Sequence, residues 1–195
     1  MTTFTSLLSR LVLALSLASG AGAALAVPTT YHVNVDTTAL SGSGYLDMSF
    51  MGFDAGAATA VVSNFTGNAS GAPDVFGPIT GNLASTVTFQ GSTYNYLDQL
   101  VQFGGLFGFD ILFDFAATGA PTTFAVSLYD IDFSYVGLPG PIATFEVVPG
   151  AGVLLSAANA FGNISTAAAV PEPGQWLLML TGLLLLGAMA RRRNR

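Results

Sequence analysis

The stretch from residue 109 to residue 115 reads Phe-Asp-Ile-Leu-Phe-Asp-Phe, and it decides the fold class. Large apolar side chains alternate there with aspartates, and side chains on a β-strand point alternately to its two faces. The stretch therefore predicts a strand with one buried face and one polar face. The same pattern recurs at residues 31–36, 46–50, 86–90 and 124–128, with further strand candidates at residues 144–148 and 152–155.

Clusters of Gly, Pro, Asn and Ser lie between these segments and predict turns. Short alternating strands separated by such turns predict an all-β domain, a β-sandwich or jelly roll, over residues 27–165. The apolar residues change phase by one position around Tyr129, which indicates a β-bulge there. Residues 55–60 are interpreted as a loop or a helical turn, and residues 166–174 as a linker.

Charge is distributed unevenly along the chain. All five basic residues are arginines, at position 10 and among the last five residues, so residues 27–170 contain neither Lys nor Arg. The same stretch carries ten of the eleven acidic residues. Such a domain repels nucleic acid and anionic membrane surfaces, so we expect no nucleic-acid partner. Its carboxylates must be solvated, accept hydrogen bonds or bind cations.

The first 26 residues have the three parts of a secretory signal peptide. Arg10 supplies the positive region, residues 11–18 form a short apolar run, and Ala24 and Ala26 give the small-x-small pattern of a cleavage site. The apolar run is too short for a comfortable membrane span. We expect Val27 to begin the mature chain; an uncleaved N-terminal anchor is the alternative.

The C-terminal end predicts a single membrane anchor. Two prolines flank Glu172 and make an extended segment, because proline restricts its own backbone and that of the preceding residue. The uncharged run from Trp176 to Ala190 reaches roughly 22 Å as a helix, somewhat short of the ~30 Å hydrocarbon core. We assign residues 175–190 to a transmembrane helix. The arginines of residues 191–195 stay cytoplasmic by the positive-inside rule, which places the acidic domain outside.

This order of Pro-Glu-Pro, short apolar helix and arginine cluster resembles the PEP-CTERM sorting signal, and the match covers residues 170–195. The resemblance implies processing by an exosortase, a polytopic membrane enzyme, in a Gram-negative host that makes extracellular polysaccharide. It implies export across the inner membrane, anchoring, and then transfer to the cell surface or the extracellular matrix of a biofilm. The implied sorting residues are Pro171, Glu172, Pro173, Arg191, Arg192, Arg193 and Arg195.

The middle domain also resembles small PEP-CTERM ectodomains that have no assigned activity. The segments that carry this resemblance are residues 31–36, 44–50 and 122–130. The resemblance implies a β-rich fold and adds no chemistry.

The sequence offers little for catalysis. Cysteine is absent, the domain has no lysine, and no Gly-x-Ser-x-Gly elbow occurs, which leaves thiol, Schiff-base and serine chemistry without their usual residues. The single histidine, His32, lies on the polar face of a candidate strand and is interpreted as a surface residue. Paired carboxylates could serve a glycosidase, but that reaction needs two of them across a cleft. We therefore expect a protein that is not an enzyme.

Four aspartates are candidate calcium ligands, because calcium takes oxygen ligands and the domain gives its acids no basic partner. Residues 104–112 resemble one calcium β-roll repeat, with one residue too many and in a single copy. A solvated acidic face is the alternative, and no other cofactor is expected. The candidates, which should share strand faces in pairs, are Asp110 with Asp114 and Asp130 with Asp132.

Two functions outside catalysis remain open. One is a structural or interaction protein of the cell envelope or extracellular matrix. The other is a calcium-assisted carbohydrate-binding module that binds extracellular polysaccharide. Tyr94, Tyr96 and Tyr135 are candidate stacking residues for sugar rings in the second case.

The sorting hypothesis predicts two processing events that intact-mass spectrometry can measure on protein from the cell surface. In a host with its exosortase, the mature chain should begin at Val27 and lose its tail near residues 171–173. Deleting the exosortase should leave the tail in place. A tail that persists in both strains would identify the C-terminus as an anchor only.

Overall fold

Twelve β-strands make up the part of the chain that the computed structural model describes, which is residues 30–52, 58–137, 139–156 and 160–166, together with Gly182. They form two six-stranded antiparallel sheets, which confirms the prediction of an all-β fold. The strands are β1 (Thr30–Asp36), β2 (Ser43–Met51), β3 (Ala58–Thr66), β4 (Asp74–Phe76), β5 (Ile79–Gly81), β6 (Thr86–Gln90), β7 (Asn95–Gln102), β8 (Leu106–Phe115), β9 (Thr122–Asp130), β10 (Ala143–Val148), β11 (Gly152–Ser156) and β12 (Gly162–Thr166).

The sheets are built from nested strand pairs. Sheet 1 has the strand order β12-β1-β8-β3-β6-β5, and sheet 2 has the order β11-β10-β9-β2-β7-β4. Strand β1 pairs with β8, β2 with β7, and β3 with β6, so each pair encloses the next along the chain. These pairs join segments that are far apart in the chain. The core between the two sheets therefore forms only when distant segments meet.

Aromatic rings fill the space between the two sheets. Phe124 of sheet 2 is fully buried and contacts Phe50 of its own sheet, with 5.8 Å between ring centroids. It also contacts Phe89 and Phe113 of sheet 1, at 5.2 and 5.8 Å. All three pairs are edge-to-face, the geometry that aromatic quadrupoles favour. Phe124 therefore joins the inner faces of both sheets.

Two strands that the sequence pattern did not predict, β3 and β12, include residues expected to form a loop and a linker. β3 begins at Ala58, so residues 58–60 form a strand rather than the expected loop or helical turn, and residues 53–57 lie outside the described part. β12 ends at Thr166, which pairs with Tyr31 of β1. The first residue of the expected linker therefore belongs to sheet 1.

Strand β7 was not evident from apolar alternation because two of its inward-facing residues are polar. Asn95 is fully buried and Gln99 is 4% exposed. The Nδ2 of Asn95 donates a hydrogen bond to the carbonyl of Gln90 at 2.6 Å, and the Nε2 of Gln99 donates to the carbonyl of Ser70 at 2.8 Å. These bonds satisfy N–H groups of the two buried amides, while the Oδ1 of Asn95 has no hydrogen-bond partner among the described residues. Polar residues thus occupy positions where the sequence pattern favours apolar ones.

A tight reversal of the chain, rather than a bulge, follows Tyr129. Strands β2 and β9 pair without a register shift as far as Asp130, so the predicted bulge is wrong. The N–H of Asp130 donates to the carbonyl of Ser134 at 2.9 Å, and Tyr129 pairs with Tyr135 in an antiparallel bridge. The apolar residues change phase because the chain turns back there.

Both predicted targeting segments lie outside the described residues, apart from Gly182 in the apolar run. They are the signal peptide with Ala24 and Ala26, and the tail with the Pro-Glu-Pro segment, the apolar run and the arginine cluster. The described strands all belong to one compact unit, Pro28–Ala167. Among the residues that the structure describes, no helix has the length and apolar character needed to cross a membrane. Export, anchoring and sorting remain predictions.

Replacing Phe124 with alanine should destabilise the domain strongly, because it leaves a cavity between the sheets. We expect the free energy of unfolding to fall by about 3–5 kcal/mol. Leu106→Ala is the control, since Leu106 is 67% exposed on β8 and its loss should change that free energy by less than about 0.5 kcal/mol. Urea unfolding followed by circular dichroism measures both values, and similar losses in the two variants would contradict this core.

Candidate functional site

A polar floor lies on the outer face of sheet 2. The large apolar residues of β2 point into the core, which leaves Asp47 and Ser49 on the outer face. Asp47 lies directly opposite Asp98 of β7 on one side and Ser127 of β9 on the other. Although Asp47, Ser49 and Ser127 face outward, they are only 8%, 7% and 2% exposed. Neighbouring side chains therefore cover this part of the sheet.

One wall above the floor comes from β4, β7 and the turn before β7. Phe76 lies opposite Tyr96 in register, and their rings stack with 5.6 Å between centroids and an interplanar angle of 15°. The ring of Tyr94 lies 5.9 Å from that of Tyr96. Phe76 is 54% exposed and Tyr94 is 39% exposed. We call these three residues the β7 wall.

The opposite wall comes from the end of β9 and the turn that follows. The ring of Phe133 stacks on Tyr45 with 4.6 Å between centroids and an interplanar angle of 10°. The ring of Tyr135 lies 4.7 Å from that of Tyr129. Phe133 and Tyr135 are 55% and 41% exposed. We call Tyr129, Phe133 and Tyr135 the β9 wall.

Asp130 holds the turn that positions the β9 wall. Its Oδ1 accepts hydrogen bonds from the backbone N–H groups of Asp132 and Ser134, both at 2.9 Å. The N–H of Phe133 donates to the carbonyl of Asp130 at 3.1 Å. Phe133 has φ 60°, in the left-handed region that residues other than glycine rarely adopt. The carboxylate thus fixes an unusual backbone that directs an aromatic ring back over the sheet.

An open groove of about 430 Å³ lies between the two walls. Its floor consists of the outward-facing residues of β2, β7 and β9, and tyrosines from both walls line it. The volume falls within the range of about 300–1,000 Å³ that is typical of small-ligand sites. We call this feature the groove.

The two carboxyl groups on the floor share a hydrogen bond and repel one another as charges. Burial, followed by the charge of Asp98 and the hydrogen bond to it, raises the pKa of Asp47 to about 8. Burial also raises the pKa of Asp98, and the charge of nearby Asp74 acts in the same direction. At neutral pH the pair therefore retains a proton, because two adjacent, poorly solvated carboxylates are unfavourable.

Three phenol groups of the walls, those of Tyr94, Tyr96 and Tyr129, stay protonated at neutral pH. Burial, and then the charge of Asp47, raises the pKa of Tyr94. The charge of Asp74 is the main cause of the raised pKa of Tyr96. Burial raises the pKa of Tyr129, as does its hydrogen bond with Tyr135. Each phenol therefore keeps an O–H that can donate a hydrogen bond to a ligand.

This combination favours recognition of a ring-shaped, hydroxylated ligand. Exposed aromatic faces give stacking area, while phenols, serine hydroxyls and carboxyls give hydrogen bonds from the side and from below. Asp47 and Asp98 lie side by side on one face of the sheet. Glycoside hydrolysis uses two carboxyl groups that flank the bond to be cleaved.

The four expected calcium ligands lie in two separate places. Asp110 and Asp114 share the outer face of β8 in sheet 1. Asp130 ends β9 in sheet 2 and Asp132 lies in the turn beyond it, so those two do not share a strand face as expected. Within the described ranges, no three His, Cys, Asp or Glu side chains are grouped closely enough to hold a metal ion.

His32 and Asp110 form a hydrogen-bonded pair on the outer face of sheet 1. The Nδ1 of His32 contacts the Oδ1 of Asp110, and the Nδ2 of Asn64 donates to its Oδ2 at 2.7 Å. Burial alone would raise the pKa of Asp110, but the hydrogen bonds from Asn64 and His32 outweigh it and leave that pKa below its usual value. The network ties β1, β8 and β3 together, on the sheet opposite to the groove.

The structure brings the three candidate stacking residues together, since Tyr94, Tyr96 and Tyr135 all line the groove. Sequence reasoning missed Asp47, Asp98 and Phe133. A sequence signal exists for Asp47, because it interrupts an apolar alternation as Asp110 does. No sequence signal pairs it with Asp98, because the register between β2 and β7 depends on the folded sheet.

No protein-family model matches this chain, and neither the curated proteins nor the solved structures contain a significant match.

The carboxyl pair predicts that the domain loses stability as pH rises. In the unfolded chain Asp47 has its ordinary pKa near 4, whereas its folded pKa is about 8, so the folded state binds more protons between these values. The stabilisation is complete below about pH 4 and disappears as pH rises through about 8. The slope contributed by one proton is at most about 1.4 kcal/mol per pH unit.

Urea unfolding between pH 5 and pH 9 measures this slope. Asp47→Asn should flatten it, because the amide imitates the neutral carboxyl at every pH. The control is Asp114→Asn, which removes an exposed carboxylate from sheet 1 and should leave the slope unchanged. A slope that is the same in the wild type and in Asp47→Asn would show that this carboxyl titrates normally.

Proposed function

We propose that this chain is an exported surface protein, without enzymatic activity, whose β-sandwich binds a polysaccharide of the extracellular matrix in the groove. The observation that carries the binding proposal is the pair of aromatic walls facing each other across a polar floor. The export and sorting part of the proposal rests on the sequence pattern at the two ends of the chain.

The walls favour a chain of sugar rings over a compact ligand. The β7 wall and the β9 wall belong to different strands, and the groove between them is open to solvent. A polysaccharide can stack one ring on Tyr94 or Tyr96 and another ring on Phe133 or Tyr135. Tyr94, Phe133 and Tyr135 are 39%, 55% and 41% exposed. Aromatic side chains have few rotatable bonds, so little side-chain entropy is lost on binding.

The fold is compatible with this role but does not establish it. The nested strand order resembles that of a jelly roll, an architecture that includes lectin domains. A shared architecture with lectin domains does not fix the function, because one fold supports many functions. Support therefore comes from the residues of the groove. Calcium is not part of the proposal, because none of the four expected ligands lines the groove.

The proposal predicts that single changes in each wall weaken binding to polysaccharide from the host matrix. Tyr96→Ala and Phe133→Ala should each reduce affinity by about tenfold or more, because each removes an aromatic face from the site. Affinity electrophoresis in gels that contain the polysaccharide measures this effect.

Leu154→Ala is the control for these variants. Leu154 is 54% exposed on β11, so its loss removes a similar apolar area elsewhere on sheet 2. It should leave affinity unchanged. If the wild type is not retarded, or if Leu154→Ala weakens binding as much as the wall variants do, the groove is not the polysaccharide site.

A further inference from the structure

The groove has an excess of negative charge that nothing in its own domain balances. Asp74, Asp98 and Asp47 lie next to one another across β4, β7 and β2. Residues 27–170 contain no Lys or Arg, and the single histidine lies on the other sheet, paired with Asp110. The part of the chain that the structure describes therefore offers the floor of the groove no Lys or Arg side chain as a partner.

The surroundings of the carboxyl pair suit an ammonium group. Asp47 is 8% exposed and lies beneath the two walls, so a cation that reached it would exchange water for carboxylate oxygens and ring faces. Aromatic faces attract cations through their quadrupole, and more strongly when water is excluded. A carboxylate adds a charge-assisted hydrogen bond. A neutral sugar gains only the stacking and the neutral hydrogen bonds.

Acidic polysaccharides suit the groove poorly. A uronate or sulfate group placed between the walls would face three aspartates with no basic residue to pair with it. Like charges that approach in a partly buried site are unfavourable. The negative charge of the groove thus disfavours acidic polysaccharides relative to those that carry no negative groups.

We propose that the groove recognises a protonated amino sugar, such as the unacetylated hexosamine units of a polysaccharide, with its ammonium group on Asp47 and Asp98. This inference rests on the proposed function and names the ligand class of the same site. Binding is coupled to proton release: the ammonium group replaces the proton that the carboxyl pair holds, and that proton passes to the buffer.

The test compares three β-1,4-linked oligosaccharides of equal length that differ only at carbon 2. They carry an ammonium group (glucosamine), an acetamido group (N-acetylglucosamine) or a hydroxyl group (glucose). Isothermal titration calorimetry uses the full-length protein at pH 6, in a non-ionic detergent without a sugar headgroup. Two buffers with different ionisation enthalpies report the number of protons released.

We expect the glucosamine chain to bind about tenfold more tightly than the other two and to release up to about one proton per site. The other two chains should release none. Asp98→Asn should reduce the preference to less than about threefold, because it removes one carboxylate partner of the ammonium group. Asp114→Asn removes the same charge from sheet 1 and should preserve the preference.

The other outcomes contradict either the amino-sugar inference or the proposed function itself. Equal affinities, or preference for the acetamido or hydroxyl chain, would overturn the amino-sugar inference and leave polysaccharide binding intact. An equal loss of preference in Asp114→Asn and in Asp98→Asn would show a general attraction of the ammonium groups to an acidic domain. That result would also overturn the amino-sugar inference. If none of these chains nor the host polysaccharide binds, the proposed function itself fails.

Discussion

Burial of the apolar face of β2 between the two sheets is the constraint on which the rest of the structure depends. Leu46, Met48 and Phe50 are fully buried in the core, and this fixes the outward direction of Asp47 and Ser49. A slip of one residue would place both polar side chains inside the core and the three apolar ones in water. The interaction that stabilises the fold therefore also builds the floor of the groove.

The absence of Lys and Arg from the domain explains how its carboxylates are used. Asp36 accepts hydrogen bonds from the N–H and hydroxyl of Thr38, and Asp130 accepts two from the backbone of its turn. Asp110 pairs with the single histidine. Asp47 and Asp98 instead share a proton, because burial and proximity make two charges unfavourable there. On our proposal, an external cation displaces this shared proton.

Sequence reasoning identified most strands whose buried face is apolar and failed where the buried face is polar or made of small residues. β8 was evident because Phe and Ile alternate with Asp along it. β7 was missed because buried Asn95 and Gln99 hide the alternation. The amide of Gln99 donates to the carbonyl of Ser70, which only the fold brings near. The turn at Asp130 was taken for a bulge, because both disrupt the period of two and differ only in tertiary pairing.

The sequence by itself determined the all-β class, the acidic and arginine-free domain, and three tyrosines that belong to the groove. Composition and the period of the apolar residues are local properties, so they can be read without coordinates. Only the tertiary structure decided that Asp47 faces Asp98, that Phe133 turns back over Tyr45, and that the calcium candidates lie on different sheets. Strand register and sheet order create these proximities, because both depend on contacts between residues far apart in the chain.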